Sequence, residues 1–186
     1  AAFDADYVIA KDYLHDQDRT TESVREFREL YRGHECDATI MVPLQPPHAD
    51  HYRDLPDASH YVLGGMATDD VTFREQRRWI RAFDREVHDD AYVHALGVGG
   101  GKEFIREFAG AGILDSVDCA TPELAASFGA VVDADLRQQE VRRYNGKGAS
   151  KRNVPLAAFN SWQIADLWDH LANDDVGEQL GVADFA

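Results

Sequence analysis

The chain has 186 residues, is 44% hydrophobic and carries a formal charge of −15, with 34 acidic residues against 19 basic ones. That length suits one domain with a real core, no apolar run approaches the ~18 residues of a membrane span, and nothing has the form of a signal peptide. Two cysteines, Cys36 and Cys119, exclude a disulfide framework and a Cys-rich zinc site. A reducing cytoplasm is the expected compartment. The acidic surface, with only four lysines, predicts adaptation to high salt, as in a halophilic archaeon or its virus.

Read from the amino terminus, Asp6–Ala10 predicts a strand and Thr21–Tyr31 a helix with Val24, Phe27, Leu30 and Tyr31 on one face. Thr39–Val42 predicts the next strand, followed by a loop with Pro46-Pro47. The His48–His51 pair in that loop has ligand-like chemistry, but its i,i+3 spacing needs a helix, and a surface loop is expected instead. His60–Leu63 predicts a third strand, closed by Gly64-Gly65. Phe73–Val87 predicts an amphipathic helix with Trp79, Ile80 and Phe83 inward.

The segment from His94 to Cys119 is the most informative. Tyr92–Leu96 predicts a strand, and Gly97, Gly99, Gly100 and Gly101 let the backbone turn tightly. Phe104, Ile105 and Phe108 recur at helical spacing, and Ser116–Asp118 predicts a fifth strand. Gly129–Val132 is a possible sixth, and Ser161–Leu171 a closing helix with Trp162 and Trp168. Strands alternating with helices predict βα units and a parallel sheet of TIM-barrel type. Five or six strands are too few for a closed eight-stranded barrel, so a partial barrel is expected over 1–172, with an acidic tail at 173–186. In such folds the glycine turn and Asp118 fall on the rim at the carboxyl ends of the strands, where the chemistry is kept.

Against the acidic background, Arg137, Arg142, Arg143, Lys147, Lys151 and Arg152 form a basic island opposed only by Glu140. Around Asn145-Gly146-Lys147-Gly148 it predicts a loop that contacts a polyanion, with a solvated loop balancing local acids as the plainer alternative. Molar salt shortens the Debye length to roughly 3 Å, so only close contacts would act there.

The ordered motifs AKDYLHDQDRTTESVREF (Ala10–Phe27), VPLQ (Val42–Gln45), YVLGGM (Tyr61–Met66), HALGVGG (His94–Gly100) and DSVDC (Asp115–Cys119) resemble the carboxyl-terminal two-thirds of the tRNA-guanine transglycosylase barrel. That resemblance implies a pentosyltransferase that exchanges guanine in a nucleic acid for a 7-deazaguanine base through a covalent sugar–enzyme intermediate. It assigns Asp118 as the nucleophile, a role an ionised carboxylate can fill by esterifying the sugar. It assigns Asp12 to the N–H edge of the purine and Gln45 to its carbonyl. Gly64 and Gly65 match the backbone-donor turn, Met66 packs on the base plane, and Gly97 and Gly99 support the pocket wall. No metal or cofactor is implied for cleavage.

The resemblance departs from this chain in two places. The tRNA enzymes carry a zinc subdomain of three cysteines and a histidine after the nucleophile, and nothing between Thr121 and Ala186 supplies it. The DNA-modifying branch, which lacks it, is therefore the better match, with DNA as the expected partner and tRNA as the alternative. The family's general base lies in the amino-terminal part of the barrel, which this sequence does not contain. The chain is expected to be a fragment, a split protein completed by a partner chain or second copy, or a reduced variant, and to need the missing amino-terminal strands for activity.

Other readings of the same residues stand beside these. Asp118 could cap a helix starting at Thr121-Pro122-Glu123, and Cys119 could be a small buried hydrophobe. Asp12, Asp16 and Asp18 could form an acidic face. Trp79, Trp162 and Trp168 read as core. A non-catalytic nucleic-acid-binding or assembly subunit is the second functional class, and a barrel enzyme holding a phosphate at the glycine turn is the third.

Overall fold

The computed structural model describes residues 5–32, 37–68, 70–98, 102–109, 111–133, 138–140 and 154–173. In chain order the elements are β1 (Tyr7–Ile9), α1 (Gln17–Arg32), β2 (Thr39–Leu44), α2 (His48–Tyr52), β3 (His60–Leu63), α3 (Phe73–Asp84), β4 (Tyr92–Ala95), α4 (Lys102–Phe108), β5 (Ser116–Val117), α5 (Thr121–Ser127), β6 (Ala130–Val132), β7 (Gln138–Glu140) and α6 (Val154–Asn173). They fall into two compact units. The first comprises Ala1–Gly97 with Ile113–Val117, and the second Val98–Gly112 with Asp118–Ala186.

The first unit is an open half-barrel: five parallel strands in the order β1-β2-β3-β4-β5, with alternating βα connections. Its curvature can be read from side chains. Parallel strands lie about 4.8 Å apart, so β1 and β4 in a flat sheet would be separated by roughly 14 Å. The Tyr7 and Tyr92 rings nevertheless stack at 5.9 Å, with His60 of β3 against both. Only a curled sheet allows that contact. On the outer face Tyr61 meets Phe83 of α3 and Tyr52 of α2 edge-on, burying a cluster of aromatic rings.

Local chemistry sets the element ends. Helix α1 begins four residues before the expected Thr21, because Asp16 Oδ1 accepts the Arg19 N–H and satisfies a first-turn donor. Its buried face is Gln17, Thr20, Thr21 and Val24, whereas Leu30, expected inward, is 67% exposed. Helix α3 starts with a capping box between Thr72 and Glu75. Strand β2 runs two residues beyond the expected Val42, through Pro43. Thr39 and Met41 bond toward β1, and so by alternation the donor that Pro43 lacks would face past the end of that strand.

The second unit packs Ile105, Ala109, Ala125, Ala130, Val132 and Ile164 into its own small core, flanked by Cys119, Leu167 and Trp168. Two expectations are corrected here. The segment at Gly129–Val132 is not a sixth parallel strand, since β6 pairs antiparallel with β7. Trp162 is 58% exposed, because the buried stripe of α6 runs through Asn160, Ile164, Leu167 and Trp168, and position 162 lies on the far side of the helix. Among the described residues no helix is long and apolar enough to cross a membrane.

Candidate functional site

The carboxyl ends of β1, β2 and β3 converge on Asp12. This carboxylate follows β1, is half-buried, and accepts a 2.5 Å hydrogen bond from Gln45 Nε2, with the Thr20 hydroxyl at 3.4 Å. Thr20 is held by the Tyr13 N–H, which it accepts at 3.0 Å, and by the Asp16 carbonyl, to which it donates at 2.8 Å. Burial pushes the Asp12 carboxyl above its usual range, and hydrogen bonding, foremost from Gln45, partly offsets that rise. Asp16 and Asp18 are exposed, so Asp12 is set apart from them and does not continue an acidic face.

Gln45, the residue after β2, is fixed at every polar group it has. Its N–H donates to Gln17 Oε1 at 2.7 Å and its carbonyl accepts from His51 Nδ1 at 2.7 Å. Its side-chain oxygen accepts the His15 N–H at 3.1 Å, which leaves its amide nitrogen aimed at Asp12. Gln17 in turn donates to Thr21. A carboxamide held at both its oxygen and its nitrogen serves Asp12 as a fixed brace.

The turn after β3 needs its glycines. A Cβ on Gly64 would lie 2.9 Å from Asp12 Oδ2 and 3.0 Å from Gln45 Nε2, and one on Gly65 would lie 2.6 Å from Gln45 Oε1 with φ at +68°. Met66 is fully buried, and its carbonyl accepts from Gln76 Nε2 at 2.9 Å. The structure thus brings Asp12, Gln45, Gly64 and Gly65 together, and places Met66 beneath them in the core.

The His48–His51 pair is not a surface loop. After the cis Pro46-Pro47 bond the chain forms α2, with His48 in its first turn and wholly buried. His48 Nε2 donates to the Gly64 carbonyl at 2.9 Å, and its ring meets the Trp79 indole edge-on. Its Nδ1 has no hydrogen-bond partner among the described residues. Burial pulls its pKa down to about 4, so the ring is neutral near pH 7. Gln17, Thr20, His48 and His51 were not among the expected site residues. For the two histidines the i,i+3 spacing after Pro46-Pro47 is the helix signal, outweighed in the sequence by the expectation of a loop.

Gly97, after β4, is exposed at φ +71°, and a Cβ there would lie 2.5 Å from the Ala67 methyl. Asp118 is exposed and is the first residue past β5 in the chain; it belongs to the second unit. The cap position of α5 is Ala120, two residues beyond Asp118. Cys119 is half-buried against the small core, and burial pushes its thiol upward, as for a structural cysteine. Gly99 and the basic positions Arg137, Arg142, Arg143, Lys147, Lys151 and Arg152 lie outside the described residues, as does Cys36.

Two concavities adjoin the half-barrel. One of about 440 Å³ lies at the amino-terminal ends of the strands, lined by Arg28, Tyr31, Thr39 and Ser59 among others. A cleft of about 260 Å³ opens at the other end, lined by His15, Asp16, Gln17, Asp18, Gln45, Pro46 and His51. The smaller one shares Gln45 with the carboxylate cluster and lies on the rim where parallel α/β folds carry their ligands, which makes that rim the candidate site. Among the described residues no group of three or more His, Cys, Asp or Glu side chains is arranged to hold a metal ion. No protein-family model matches the chain, and no curated protein is recognisably similar to it.

Proposed function

We propose that the chain is the base-reading and nucleophile-bearing part of a transglycosylase that exchanges guanine in DNA for a 7-deazaguanine. The observation that carries this reading is the Asp12 carboxylate, braced by Gln45 and lying against the Gly64-Gly65 turn at the ends of three adjacent parallel strands. A guanine-type edge offers two N–H donors beside a carbonyl. A carboxylate accepts from the first two, and a glycine amide can approach closely enough to donate to the third.

The covalent step falls to Asp118, by the resemblance of Asp115–Cys119 to the nucleophile motif. A carboxylate oxygen forms a bond to the anomeric carbon as the bond to the guanine nitrogen breaks. The departing base keeps the electron pair and takes a proton. The 7-deazaguanine then attacks the same carbon through its deprotonated nitrogen, and Asp118 is released as carboxylate. Additional strands beside β1, from the same polypeptide, a partner or a second copy, would supply the general base.

The test is to incubate the chain with guanine-containing DNA and, in parallel, with tRNA, denature, and look for a covalent protein–nucleic acid adduct. The proposal expects an adduct with DNA that Asp118→Asn abolishes. An adduct with tRNA alone would move the substrate to the tRNA branch. Nucleic-acid binding that is equal in both proteins, with no adduct in either even when the completing strands are present, would make the chain a non-catalytic subunit.

A further inference from the structure

Helix α2 holds two side chains that the base-reading proposal does not use. His48 Nε2 donates to the carbonyl of Gly64 and His51 Nδ1 to the carbonyl of Gln45. Those carbonyls belong to the two residues nearest the Asp12 carboxylate on the β2 and β3 sides. One short helix therefore fixes both loops beside Asp12 at once.

We propose that His48 and His51 are positioning residues of the nucleobase pocket, with His48 setting the direction of the Gly65 amide. The identity of the ligand rests on the base-reading proposal; the positioning does not. The Pro46-Pro47 bond is the only cis peptide among the described residues, so Gly64-Gly65 is trans. In a planar trans peptide the carbonyl and the following N–H point in opposite directions. Tying the Gly64 carbonyl to His48 thus aims the Gly65 N–H away from α2.

A glycine at φ +68° has no side chain to resist rotation of that peptide, so an outside restraint is needed. His48 supplies it from a fully buried position that no rotamer change can leave cheaply. With Nδ1 unpartnered and the ring neutral, its one proton sits on Nε2, facing the carbonyl. His51 acts likewise on Gln45. The Gln45 backbone is held at its N–H by Gln17 and at its carbonyl by His51, which fixes where its carboxamide meets Asp12.

Geometry separates this role from simple loop support. A glutamine carboxamide puts its N–H close to the place of an imidazole Nε2, and an asparagine puts it close to Nδ1. The measurement is nuclear magnetic resonance of the Gly64 carbonyl carbon and the Gly65 amide, followed by titration with guanine. His48→Gln is expected to keep both resonances in place and to bind guanine within about twofold of the wild type, whereas His48→Asn shifts both and binds roughly tenfold more weakly. At position 51 the preference reverses, with His51→Asn conservative and His51→Gln disruptive, which keeps the test decisive should His48→Asn not fold.

Identical Gly64 and Gly65 resonances in the Gln and Asn variants would overturn the positioning role whether or not guanine binds. A wild-type chain that ignores guanine while those resonances still separate the variants would sink the base-reading proposal and sustain the role of the histidines.

Discussion

The two units of the chain both bury polar side chains, and they use them differently. In the second unit Asn160 is fully buried and spends its whole carboxamide on backbone: it accepts from Val132 N–H at 2.8 Å and donates to the carbonyls of Pro122 and Ala130 at 3.1 Å. That clamp joins α5, β6 and α6 and ends within itself. In the first unit the bonds run from Thr21 through Gln17 to Gln45 and stop at Asp12, a half-buried carboxylate. One set of buried hydrogen bonds closes on backbone, whereas the other terminates on a carboxylate at the strand ends, which is what makes Asp12 the candidate.

The largest expected effect breaks the closed set. Asn160→Leu deprives the buried Val132 N–H and the carbonyls of Pro122 and Ala130 of their side-chain partner and should cost about 3–5 kcal/mol. Hydrogen exchange would show protection lost at Val132 and Ala125 and retained at Val62 and Leu63. Equal loss in both units would erase the distinction.

Acid tests the open set next. His48 takes up its proton near pH 6.5 in the unfolded chain and only near pH 4 in the folded one. Its contribution is therefore complete above pH 6.5 and declines as the pH falls from 6.5 to 4, by about 3 kcal/mol in all. Urea denaturation across that interval should show the slope in the wild type and a shallower one in His48→Gln. Parallel curves would mean that His48 is not the group responsible.

The smallest change in stability sharpens the comparison most. Gly64→Ala puts a methyl carbon 2.9 Å from the Asp12 carboxylate and 3.0 Å from the Gln45 amide, so the braced pair must shift together, and folding should lose about 1–2 kcal/mol. Guanine affinity should fall roughly tenfold, because the carboxylate has moved. Calorimetry with guanine, beside a melting curve, separates the two.

The parallel half-barrel was legible in the sequence because its strands are short apolar runs separated by amphipathic helices; His60–Leu63 matches to the residue. Asp12, Gln45, Gly64 and Gly65 were legible as a group through motif order, and the structure brings them together. The brace around them was not. Gln17 bonds 28 residues away to Gln45 and His48 bonds 16 residues away to Gly64, while Thr20 ties the turn ahead of its own helix, and nothing in local periodicity announces such partners. Helix α2 was hidden because five residues after two prolines hold too little pattern to show a period. The hairpin of β6 and β7 was missed for a different reason. Its first strand, three apolar residues long, looks the same whether it pairs parallel or antiparallel.

In the first unit, strand order in the sheet follows order along the chain. Each ladder joins consecutive strands, so no strand waits for a distant segment before it can pair, and growth of the sheet can proceed unit by unit from either side. The Tyr7, His60 and Tyr92 rings meet across the strands of that sheet and mark its bend. Five strands thus hold the curvature by themselves, in a sheet that is open rather than closed.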